Sequence, residues 1–170
     1  MPRFVIGSLT SERWYTQADG LPWLPADSVL SDALRDLRTT DGVLSVYEIP
    51  QPEDEALVRR IVVAIAAGMQ RSRDIGFLLF ERTAVEGLAI RINDAVPGET
   101  GDAHVNALHR DLEQLSARKL AALAEIMAHG DDGEILAKDF RDSLKAGIVA
   151  QHLDKNKVHK ELRKEIGLES

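Results

Sequence analysis

Asp102, His104, His109, Asp111 and Glu113 bring two imidazoles and three carboxylates together in one short stretch. These side chains move protons at neutral pH and bind divalent metals. Read as a helix, the stretch puts His109 and Glu113 on one face, four residues apart. His104 and His109 stand five apart and diverge by about 140° at 3.6 residues per turn. No third ligand lies on the face of His109 and Glu113, and a solvated face opposite Val105, Leu108 and Leu112 fits the same residues. His104, His109 and Glu113 are therefore the catalytic candidates, and Asp102, His109 and Glu113 the metal candidates, of a small hydrolase.

Two further constellations compete with this one. Trp14, Tyr15 and Trp23 include both tryptophans of the chain, in a segment without clear periodicity. Such residues are enriched at interaction hot spots, and they also plug cores. Near the other end, Lys155, Lys157, Lys160, Arg163 and Lys164 surround an apolar series, Val158, Leu162 and Ile166. The series gives an amphipathic helix a face to dock on the body or on a partner. The basic residues give a recognition helix over 156–166 something to offer phosphates. Asp154, Glu161, Glu165 and Glu169 dilute that charge, and the preceding turn lacks a glycine.

The common catalytic signatures are missing. There is no phosphate-binding glycine loop, no G-x-S-x-G elbow and no H-E-x-x-H. There is no cysteine, which removes disulfides, iron–sulfur clusters and thiol nucleophiles. No cofactor is expected from any motif.

The elements that must position these residues follow from periodicity. Residues 3–7 read as a short strand and 28–38 as a short helix. Thr40-Asp41-Gly42 signals a turn, and 43–49 a strand ended by Pro50 and Pro52. Acidic residues 53–55 open a helix to about residue 70, apolar nearly all round in its middle. Residues 75–82 and 88–93 read as strands joined by a hairpin loop over 83–87. Val105, Leu108, Leu112 and Leu115 step by three and four, which predicts one long helix over 103–129. Residues 130–133 break it, a second helix follows over 134–152, and Asp154 caps a third, short one.

This order predicts an α+β fold. The sheet is expected to be small, mostly antiparallel and three- to four-stranded. The helices at 53–70 and 103–129 cover one of its faces, and a helical C-terminal region follows. The division expected is an α+β body over 1–130 and a helical extension over 131–170, packed on the body or on a partner.

The chain has 170 residues and net charge −7. All seven lysines lie at Lys119 or later, so the acidic excess sits mainly in the first hundred residues. An acidic surface opposes non-specific attraction to nucleic acid and anionic lipid. No stretch reaches the roughly 20 apolar residues of a membrane helix. The expectation is a soluble, cytoplasmic protein with no membrane partner.

Three functions then rank by how few unobserved features each requires. First is a non-enzymatic protein-interaction or regulatory module whose C-terminal helices bind a protein partner or a second copy. Second is the small hydrolase, with or without a metal. Third is a DNA-binding regulator working through the lysine-rich last helix.

Overall fold

A computed structural model describes residues 1–9, 33, 34, 37 and 39–168. The described residues form one six-stranded sheet and six α-helices. The strands are β1 (Arg3–Leu9), β2 (Leu44–Ile49), β3 (Ile75–Glu81), β4 (Arg91–Asn93), β5 (His109–Glu113) and β6 (Asp131–Ile135). Their order is β4-β5-β2-β1-β3-β6, and every neighbouring pair is antiparallel. The α+β class holds, but the sheet exceeds the expected three to four strands.

The helices are α1 (Glu55–Ala66), α2 (Arg82–Gly87), α3 (Ala103–Ala107), α4 (Ala117–Ala128), α5 (Ala137–Val149) and α6 (Lys160–Glu165). They cover both faces of the sheet rather than one. On the first face Val5, Tyr47, Ile49 and Leu79 join residues of α1, α3, α5 and α6. On the second Phe4, Ile6, Val46, Phe80 and Leu112 join residues of α2 and α4. The run Phe4-Val5-Ile6 explains why two layers are needed. Its side chains alternate between faces, and an unbroken apolar strand must be covered on both.

The long helix expected over 103–129 does not form. Its span holds α3, then β5, then α4. Gln114 has φ +61°, which no α-helix carries, and Ser116 restarts the helix by accepting from the Lys119 N–H at 3.3 Å. The spacing of three and four is met by packing of another kind. Val105 belongs to α3 on the first face, and Leu112 points from β5 into the second.

Three other elements differ from expectation. Residues 82–87 form a helix, not a hairpin loop, held by Arg82 donating to Glu86 at 2.9 Å and by fully buried Val85. β4, after it, is only three residues long and pairs with β5 at the far edge. Asp131–Ile135, expected as a break and a helix start, pairs with β3 as β6. Gly133 permits this pairing, because a Cβ there would lie 2.3 Å from the Phe77 ring.

Other signals are met where they were read. Asp54 caps α1 by accepting from the Ala56 N–H at 2.9 Å. Asp41 and Gly42 both have positive φ between the bridged residues Thr40 and Val43, as a tight turn with strand-matching twist requires. The helix expected over 28–38 falls mostly outside the described residues. Among the described residues no helix is long and apolar enough to cross a membrane.

Candidate functional site

The register of β2 on β5 places Ser45 opposite Asp111 and Tyr47 opposite His109. Alternation sends Leu44, Val46 and Leu112 to the second face, into the core. The four polar residues therefore share the first face, side by side across two strands. They line one wall of a cleft of about 440 Å³. Ala64, Ile65 and Gly68, in and beyond the last turn of α1, form a second wall. The 96–101 loop and Lys157 close it.

His109 is buried, at 6% exposure. Its Nδ1 lies 2.9 Å from the Val96 carbonyl oxygen. A carbonyl only accepts, so Nδ1 carries the proton and a neutral ring keeps its lone pair on Nε2. Nε2 lies 3.4 Å from Asp111 Oδ1. The Ser45 hydroxyl donates to that same carboxylate oxygen at 3.1 Å. Serine thus bonds the acid and not the imidazole, which is not the order of a nucleophilic serine triad.

Tyr47 packs edge-on to the His109 ring, with centroids 5.3 Å apart. Burial, then the charges of Asp111 and Glu99, push its pKa up to about 12. The phenol stays protonated and is a hydrogen-bond donor. Among the described residues its hydroxyl has no hydrogen-bond partner, and Lys157 has no ion-pair partner.

The other candidates of the sequence scatter. Asp102 caps α3, accepting from the His104 and Val105 N–H groups, and binds Arg60 through two contacts of 2.6 and 2.9 Å. Its donors are all supplied by the protein, so it is structural. His104 is exposed on α3. Glu113 accepts from Asn93 at 2.6 Å and pairs with Arg91 at 3.3 Å. On a strand it lies about 13 Å from His109, too far to share a ligand. The joint catalytic set and the joint metal set are thus not brought together. Among the described residues no three His, Cys, Asp or Glu side chains could hold a metal ion.

Trp14, Tyr15 and Trp23 lie outside the described residues. Val158, Leu162 and Ile166 are buried in the core of the first face. The basic residues do not share one helix. Lys155 and Lys157 sit in a 3₁₀ turn, and Lys160, Arg163 and Lys164 in six-residue α6. Ser45, Tyr47, Val96 and Glu99 belong to no catalytic motif of the sequence. Alternation within 43–49 was the available signal, since it gives that strand a face carrying Ser45 and Tyr47.

The Asp102–Arg60 pair anchors the site from behind, tying α3 to α1. Burial alone would raise the Asp102 pKa, but the Arg60 hydrogen bond and the two helix N–H groups hold it below the usual carboxylate range. A lowered folded-state value stabilises the fold above the unfolded value, near 3.9, and is lost as pH falls through the folded one. Asp102→Ala should cost about 2–3 kcal/mol at pH 7, from a lost cap and a half-exposed guanidinium left unpaired. Urea titrations should show that deficit shrinking below about pH 4, as the wild-type carboxyl protonates. A deficit constant down to pH 2 contradicts this assignment.

Comparison with protein-family models, curated proteins and solved structures finds no match to this chain.

Proposed function

We propose that this protein is a small hydrolase acting on neutral acyl esters, with the His109 cleft as its active site and His109 Nε2 as general base. One observation carries the reading. A buried imidazole has Nδ1 fixed on a backbone carbonyl and Nε2 beside a carboxylate, in an open cleft. That arrangement defines a base at one atom and provides for the cation it becomes.

The step follows from the groups present. A water hydrogen-bonded to Nε2 gives its proton to Nε2 as its oxygen attacks the acyl carbon. Negative charge gathers on the former carbonyl oxygen, and the Tyr47 O–H donates to it. The bond to the leaving oxygen then breaks. The Nε2 proton passes to that oxygen and restores the neutral ring. In between, the Asp111 carboxylate faces the imidazolium, as Ser45 orients it. Asp111 and Glu99 outnumber Lys157 around the cleft, which disfavours phosphoester dianions.

Support for the partner-binding reading is weaker. The apolar side chains it relies on, Val158, Leu162 and Ile166, are packed inside the chain.

The test is hydrolysis of p-nitrophenyl acetate, p-nitrophenyl phosphate and a p-nitroanilide by the purified full chain. The ester should turn over and the phosphate should not. Tyr47→Phe should slow the ester about tenfold, the worth of one net hydrogen bond. Absence of ester hydrolysis, or a Tyr47→Phe enzyme as fast as wild type, contradicts the proposal.

A further inference from the structure

We infer that Asn106 is the positioning residue that sets the His109 tautomer, acting through the 96–100 loop. The inference rests on the reading of His109 Nε2 as the base, and it identifies what keeps that atom unprotonated. Only the Val96 carbonyl holds the proton on Nδ1. Val96 lies in a loop with no strand or helix of its own, so something else must fix it.

Asn106 supplies that fixation from α3. Its Oδ1 accepts from the Thr100 N–H at 2.8 Å and from the Thr100 hydroxyl at 2.6 Å. Its Nδ2 donates to the Thr100 carbonyl at 2.9 Å. Its own carbonyl accepts from the Gly98 N–H at 3.0 Å. One residue therefore binds the loop at two points, 98 and 100. Pro97, bonded directly to Val96 and to Gly98, has a fixed φ, so little freedom remains between clamp and carbonyl.

The fit is tight. A Cβ built on Gly98 would stand 3.0 Å from Asn106 Oδ1 and 3.1 Å from His109 Cβ. The loop thus touches both the clamp and the histidine at a residue without a side chain. Asn106 reaches neither the ring nitrogens nor the cleft lining. Its effect on the base runs through the Val96 carbonyl. With that carbonyl displaced, nothing among the described residues holds the proton on Nδ1, while Asp111 Oδ1, 3.4 Å from Nε2, draws it there. The ring then spends part of its time with the proton on the atom that must accept one.

The experiment is ¹⁵N NMR of the full chain labelled at histidine, at about pH 9, where an ordinary imidazole is neutral. His109 is assigned by its absence from the His109→Gln spectrum. Wild type should show one tautomer, with a bonded proton on Nδ1 and the far-downfield shift of a bare Nε2. Asn106→Ala removes the side-chain bonds, and Gly98→Ala pushes the loop away while keeping Asn106. Each variant that folds should lose the single-tautomer signature and show both nitrogens at averaged shifts. A wild-type Nδ1–H form that survives in both variants overturns the role of Asn106 and leaves the base reading standing. A wild-type ring protonated on Nε2 overturns both.

Discussion

His109→Gln should abolish ester hydrolysis, by about 10²–10⁴-fold, while the fold remains. Glutamine is close in size and can donate its amide to the Val96 carbonyl, so the buried acceptor keeps a partner. It has no lone pair basic enough to take a proton from water. The loss should therefore fall on turnover and not on stability. Two companion variants separate the cleft from the other candidates of the sequence. His104→Gln alters an exposed side chain of α3 and should change neither rate nor stability. Glu113→Gln disturbs an edge pair with Arg91, worth about 0–1 kcal/mol, and should leave the rate unchanged. Initial rates with p-nitrophenyl acetate and thermal melts of all three variants check the set.

Phe140→Ala should destabilise the protein by about 3–5 kcal/mol. Phe140 is fully buried on α5, in the cluster that includes Val58, Ile61 and Leu162. Removing its ring leaves a cavity between α5 and the layer beneath. Domains of this size have about 5–15 kcal/mol in total, so a large part of the stability would go. Val149→Ala, at the exposed end of the same helix, should fall within about 0.5 kcal/mol of wild type. Urea unfolding measures both. Equal midpoints for the two variants would show that Phe140 is not packed in that cluster in solution.

The fold class was legible because its strongest signals are local. The alternation of 43–49, the acidic start of α1 and the Asp41-Gly42 turn depend on a few neighbouring residues each. The size of the sheet was not legible for the opposite reason. β5 and β6 carry few apolar residues and are strands because β2 and β3 offer them edges. His109 and Asp111 read as one polar turn of a helix, and tertiary pairing overrides that reading. The candidate site was half legible. His109 was named from its chemistry, but its partners Ser45, Tyr47 and Val96 are brought to it by strand register and a loop, across more than sixty positions of sequence for the two on β2. The face of Val158, Leu162 and Ile166 reads as one that docks on the body or on a partner. Its partner is the chain's own core, and periodicity alone does not distinguish the two.

Three clefts of the molecule each carry a different histidine, which allows a direct measurement. His109 lines the β2–β5 cleft, His152 the groove between α1 and α5, and His129 the depression beside β3 and α4. Titrating the histidine-labelled protein with p-nitrophenol, the leaving group of the ester, reports which cleft is used. The expected result is a saturable shift of the His109 ring signals, with those of His152 and His129 unmoved. A shift at His152 or His129 with His109 unchanged would contradict the assignment of the active site to the His109–Asp111 cleft.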